Sequence, residues 1–158
     1  MISQVFPNYQ IIEKLGEGAG GEVYLAEDTR LGEAYKQTGM YDEAIREIQE
    51  AARLSGHSSR TVARLGHAYA IAGKKEEALA VLHKLNGISE RQYVSPYEVA
   101  IIYAGLEEKE LVFTWLERAY EDRSSWLTFL KVEPSFASIQ SDARFIDLVK
   151  RVGLPAVV

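Results

Sequence analysis

The sequence predicts an all-α fold: a solenoid of about three helix-turn-helix pairs closed by a helical end, preceded by a short β-hairpin or disordered segment. Three observations carry that expectation. Segments beginning at Leu31, Leu65 and Val99 align without a gap at a fixed step of 34 residues, a period typical of stacked helix pairs. Within each segment the apolar residues recur at helical spacing. Glycines stand where a first helix must stop before its partner begins.

In the first helix of each pair, Leu31, Leu65 and Val99 superpose, followed by the small residues Gly32, Gly66 and Ala100. A small side chain there lets two antiparallel helices approach closely. Tyr35, Tyr69 and Tyr103 fill the gap one turn later. On the second helices, Ala44, Ala78 and Val112, then Ile48, Leu82 and Leu116, then Ala51, Leu85 and Ala119 form an apolar stripe that covers the first helix. Gly39 and Gly73 supply the left-handed residue that ends a first helix; the third repeat has Glu107 at that place and Val112 for the small alanine. Neither helix hides its apolar face alone, so neighbouring pairs must stack.

Asn86 to Pro96 reads as a loop-like connection. After Tyr120 the period is lost. A short helix is expected after Ser124 and Ser125, a turn at Pro134, and a final helix after Ser141, stopped by Gly153 and Pro155. Trp126, Phe129, Phe136, Phe145 and Leu148 are placed to plug the open end of the core.

On these residues the stretch from Ala26 to Tyr120 resembles the tetratricopeptide repeat family. The resemblance implies a groove lined by the first helix of each pair, and a non-enzymatic module that binds a protein or peptide partner there. The groove residues it implies are Glu33, Lys36 and Gln37 in the first repeat. In the second they are Arg60, Ala63, Arg64, His67 and Ile71, and in the third Tyr97 and Ile101. Charge at one end and apolar contact at the other suit a segment carrying acidic and apolar residues. Repeat proteins that clamp terminal carboxylates use lysine and asparagine at set positions. Here Arg60 and Arg64 match in charge, but Glu33 and His67 stand at the asparagine positions.

The amino terminus carries a different pattern. Gly16, Gly18, Gly21 and Val23 fit G-x-G-x-x-G-x-V, with Ile11, Ile12 and Leu15 before them and Tyr24, Leu25 and Ala26 after. Residues 9–30 resemble the first two strands of a bacterial serine/threonine protein kinase. The resemblance implies glycines that cover nucleotide phosphates and a valine over the adenine. The third-strand lysine, the H-R-D motif and the D-F-G motif are absent, so no phosphoryl transfer is expected. Two readings stay open for the loop: a turn whose glycines permit tight backbone geometry, and a nucleotide-binding remnant or regulatory fragment. The expected division is a hairpin over residues 1–25 and a repeat domain over 26–158, with a cap over about 121–155. Helix is expected from about 26 to 38, where the two patterns overlap.

Eighteen basic against 23 acidic side chains give a net charge of −5, which argues against nucleic acid or an anionic membrane surface as partner. The absence of cysteine excludes thiolate metal sites and disulfides. His57, His67 and His83 have no partner at ligand spacing, and Glu76-Glu77 and Glu107-Glu108 read as charges at the starts of second helices. No cofactor and no metal are expected. With no basic leader followed by an apolar run and no window long enough to cross a bilayer, a cytoplasmic monomer is expected.

Overall fold

The computed structural model describes residues 9–18, 21–28 and 41–155, and the chain divides into two compact units, Met1–Ala44 and Ile45–Val158. In the first, strands β1 (Tyr9–Gly18) and β2 (Gly21–Asp28) pair antiparallel. Tyr9 faces Asp28, Gly16 faces Val23 and Gly18 faces Gly21. Irregular register between Ile11 and Glu13, and between Lys14 and Gly16, bends the ladder. Strand β2 runs through Ala26, Glu27 and Asp28, paired with Ile11, Gln10 and Tyr9. The helix expected from residue 26 therefore does not begin there: cross-strand hydrogen bonding claims these three residues. Residues 29–40 lie outside the described part.

Helix α1 spans Tyr41–Leu54. From its end the chain alternates short turns and helices. Ser58 accepts a hydrogen bond from the Thr61 amide and opens α2, Ser59–Ile71. Gly73, at φ +76°, closes it, as the sequence implies. Helix α3 covers Lys75–Ser89 with Glu76 and Glu77 in its first turn, where the helix dipole favours acids. It runs through Asn86, Gly87, Ile88 and Ser89, four residues expected to be loop. Ser95 caps α4, Pro96–Gly105, with proline in its first turn. Glu107 adopts φ +60°, taking the left-handed position one period after Gly73. Helix α5 then runs Lys109–Glu121.

Two 3-10 helices follow, Ser125–Phe129 and Pro134–Ile139. Helix α6, Ala143–Val152, starts from the Asp142 cap and ends at Gly153, φ +81°. The second helices α1, α3 and α5 begin at Tyr41, Lys75 and Lys109, and α6 begins at Ala143, each 34 residues after the one before. The period does not stop at Tyr120. It continues as a fourth, degenerate unit in which two 3-10 helices replace the first helix. Side chains repeat the step. Arg144 forks onto Glu110 at 2.9 and 3.1 Å, and Arg151 pairs with Glu117. Each of these partners is 34 residues away. Each guanidinium also lies over a ring of the preceding unit or its end: Arg144 over Phe113 at 4.0 Å and Arg151 over Tyr120 at 4.7 Å.

Helix α2 packs on α3, α4 on α5, and α2 on α4. Gly66 makes this approach possible: a Cβ there would stand 2.7 Å from Ile102 Cδ1 and 2.8 Å from Val81 Cγ1. Around it lies a core of Val62, Ala63, Ala70, Ala78, Val81, Leu85 and Ile102. A second, more aromatic core joins α4 and α5 to the fourth unit through Phe113, Leu116, Leu130, Phe136, Phe145 and Leu148. Of the residues expected to plug the end, Phe136, Phe145 and Leu148 are buried, Trp126 is part-buried and Phe129 is exposed.

Candidate functional site

Arg60, Arg64 and His67 stand at i, i+4 and i+7 of α2, so helical geometry puts them on one face. The fourth unit lies against that face. The Arg60 guanidinium sits 4.0 Å from the centre of the Trp126 ring. Arg64 reaches Glu133 with two parallel bonds, Nη1 to Oε1 at 3.1 Å and Nη2 to Oε2 at 2.8 Å. This fork geometry is the strong form of an arginine–carboxylate pair. Both side chains are largely shielded, 16% and 5% exposed.

Glu133 also caps the second 3-10 helix. Its Oε1 accepts from the Ser135 amide at 3.2 Å and from Ser135 Oγ at 2.6 Å. Burial alone would push this carboxyl up. The charge and hydrogen bonds of Arg64, joined by those of Ser135, outweigh it and hold the pKa at about 2. The neighbouring Glu98 on α4 is 6% exposed. Burial pushes its pKa up, while a hydrogen bond from Ser59 and the charges of Arg60 and Arg64 pull the other way.

His67 is part-buried under the end of α4, where a Cβ on Gly105 would lie 2.9 Å from its Cδ2. Burial lowers its pKa to about 4, helped by the Arg64 charge and opposed by Glu133. At neutral pH the ring is therefore uncharged, and the cationic character of the face rests on the two arginines.

The remaining expected groove residues divide. Ile71 is part-exposed, whereas Ala63 is buried at 2%. Tyr97 and Ile101 are each 3% exposed and belong to the aromatic core rather than to a solvent-facing lining. The reason is the fourth unit: Phe136 meets the Tyr97 ring edge-on, with centroids 5.5 Å apart. Glu33, Lys36 and Gln37 lie outside the described residues. Gly16, Gly18, Gly21 and Val23 are all in the hairpin, the glycines gathered toward its closing end. Sequence reasoning missed Glu133 and Glu98. The one available signal for Glu133 was an acid directly before Pro134 and a serine, which reads as a cap.

A concavity of about 330 Å³ opens between α1, α2 and α3, lined by apolar Ala52, Val62 and Val81 and by polar Gln49, His57 and Lys84 among others. Gln49 donates to the Tyr69 hydroxyl at 2.8 Å. Among the described residues no group of three His, Cys, Asp or Glu side chains could hold a metal ion.

The fixed step of the second helices is the deciding observation, and comparison with known families agrees with it. Residues 29–57 match the tetratricopeptide repeat family. The match ends in the turn after α1, and the tetratricopeptide period then continues through α3, α5 and α6. The helical part of the chain is thus a tetratricopeptide-like solenoid. No curated protein and no solved structure matches the chain.

Proposed function

We propose that the chain is a non-catalytic interaction module that binds a peptide or protein partner along α2. Tetratricopeptide repeats point to protein–protein interaction as the general role, and no described helix is long and apolar enough to cross a membrane. The observation that carries the finer reading is the pair Arg60 and Arg64. One turn apart, they hold an indole ring and a carboxylate, the two chemistries an acidic, aromatic segment would offer. Ile71 extends the same helix with apolar surface.

Selection of random twelve-residue peptides against the full chain tests this. Enriched peptides should carry an acid and an aromatic residue and should lose at least tenfold in affinity on Arg60→Gln, with helical content unchanged. Selection yielding no binder, or binders indifferent to Arg60→Gln and to Ile71→Asp alike, would overturn it.

The hairpin favours a second reading, a nucleotide-binding remnant of a kinase–tetratricopeptide protein, since β1 and β2 do pair and bring Gly18 opposite Gly21. Calorimetric titration with magnesium–ATP separates the two. Binding at millimolar nucleotide that is lost on Gly18→Val supports the remnant; no heat leaves the hairpin without nucleotide.

A further inference from the structure

The 34-residue step lays one repeat over the next, and the concavity between α1, α2 and α3 then acquires a counterpart. Its lining residues Tyr69, Val81 and Lys84 correspond to Tyr103, Trp115 and Arg118. In the later repeat those three side chains form one stack. The Trp115 ring lies against Tyr103 with centroids 6.4 Å apart and planes 19° from parallel, and the Arg118 guanidinium lies over the indole at 4.5 Å. The earlier repeat keeps the tyrosine and a cation but carries valine at the indole position, and there the concavity of about 330 Å³ opens. The geometry points to this concavity as a receptor for one indole ring, carried by a tryptophan side chain of a partner. The partner's ring completes in the second repeat the stack that Trp115 completes within the third.

Three observations support the assignment. Gln49 donates to the Tyr69 hydroxyl at 2.8 Å, so the face on which the ring stacks is set before anything binds. Val62 and Leu65 on α2, with Ala52, Ala80 and Val81 from the flanking helices, give the ring apolar contact. Lys84 brings positive charge to the lining, the complement of the negative face of an aromatic ring. The volume lies at the lower end of the ligand-sized range, which suits one side chain. The ring is chain-borne because the occupant of the equivalent space, Trp115, projects from the backbone of a helix. From the interaction reading above, this inference takes only that the chain has a peptide or protein partner. Val62, Leu65 and Tyr69 recur at i, i+3 and i+7 on the flank of α2 opposite Arg60 and Arg64, so the two sites can fail separately.

The test titrates the full chain with N-acetyl-tryptophanamide fluorinated on its ring, read by fluorine NMR, beside fluorinated 3-methylindole as the ring alone. Both should give saturable shifts at millimolar probe, with one site per chain. Lys84→Met keeps the stem and removes the cation, and should weaken binding about threefold. Tyr69→Leu removes the stacking face and should weaken it roughly fivefold. Val81→Trp supplies the ring from within and should abolish binding with helical content unchanged. Should that variant disturb folding, Lys84→Met and Tyr69→Leu still decide. No shift with the unaltered chain, or affinity indifferent to these substitutions, would overturn the inference. So would binding of 3-methylindole without the capped amide, since the site would then take a free molecule. A failed titration beside selected peptides that still depend on Arg60 would sink the ring site and leave the interaction reading standing.

Discussion

Arg64 of α2 and Glu133 of the fourth unit join two parts of the solenoid that are separated by a whole helix pair. A shielded fork of this kind is costly to break from one side, because the survivor is left charged and unpaired. Arg64→Ala should therefore cost about 3–5 kcal/mol. Arg64→Met combined with Glu133→Leu should recover much of that loss, since neither charge remains. Urea unfolding of the three variants checks the order. If the double variant is as unstable as Arg64→Ala alone, the pair is not the cause.

Gly66 has no room for a methyl group beside Ile102 and Val81. Gly66→Ala should destabilise by roughly 1–3 kcal/mol through forced shifts in the packed core. Gly87, in the body of α3, meets nothing within 4 Å. Gly87→Ala should instead stabilise by about 0.5–1 kcal/mol through reduced backbone freedom in the unfolded chain. Opposite signs in thermal melts are the expected result.

Glu107 sits at φ +60°, a conformation in which an L side chain crowds the following carbonyl at a cost of roughly 1–2 kcal/mol. Glycine relieves the crowding and gives some of it back in entropy. Glu107→Gly should raise stability by up to about 1 kcal/mol, and a Tm unchanged or lowered would contradict this.

Three residues should make stability depend on pH. His67 binds its proton near 6.5 when unfolded but only near 4 when folded. The penalty is absent above pH 6.5 and grows as pH falls toward 4, by roughly 1–3 kcal/mol. Glu133 moves from 4.5 to about 2, so its contribution is intact above pH 4.5 and is lost as pH falls toward 2. Glu98, raised by burial, acts in the opposite sense: its share is present below pH 4.5 and fades as pH rises. Comparison of the chain with His67→Gln isolates the first window. Urea titrations at pH 7, 5 and 3 should show that variant losing its slope between 7 and 5 while keeping the fall below 4.5.

Much of the architecture was legible because the 34-residue step is written in side chains that cannot be exchanged freely. Gly66 and Ala78 mark close approach, and Gly73 marks a left-handed turn. The helical pieces after Ser125 and Ser141 were legible, but not that they form a fourth unit of the same period. Its first helix is broken into 3-10 turns around Pro134, and its link to the array is by charge, Glu110 with Arg144 and Glu117 with Arg151. An alignment of apolar residues does not register such a link. The same blind spot misplaced Tyr97 and Ile101. Helical spacing assigns them to the first-helix face, but only the folded chain reveals that Phe136 covers that face in the third repeat. Ala26 to Asp28 suited either element by composition, and pairing across the hairpin decided for strand.

Ile102 belongs to α4 by sequence, yet its side chain completes the core of α2 and α3. Opening either helix pair must expose it, so neither pair has a private exit from the native state. Amide protons buried in α2 and those in α4 should consequently exchange with solvent through a shared opening, with one free energy between them. The two central repeats would then come apart as a single cooperative block.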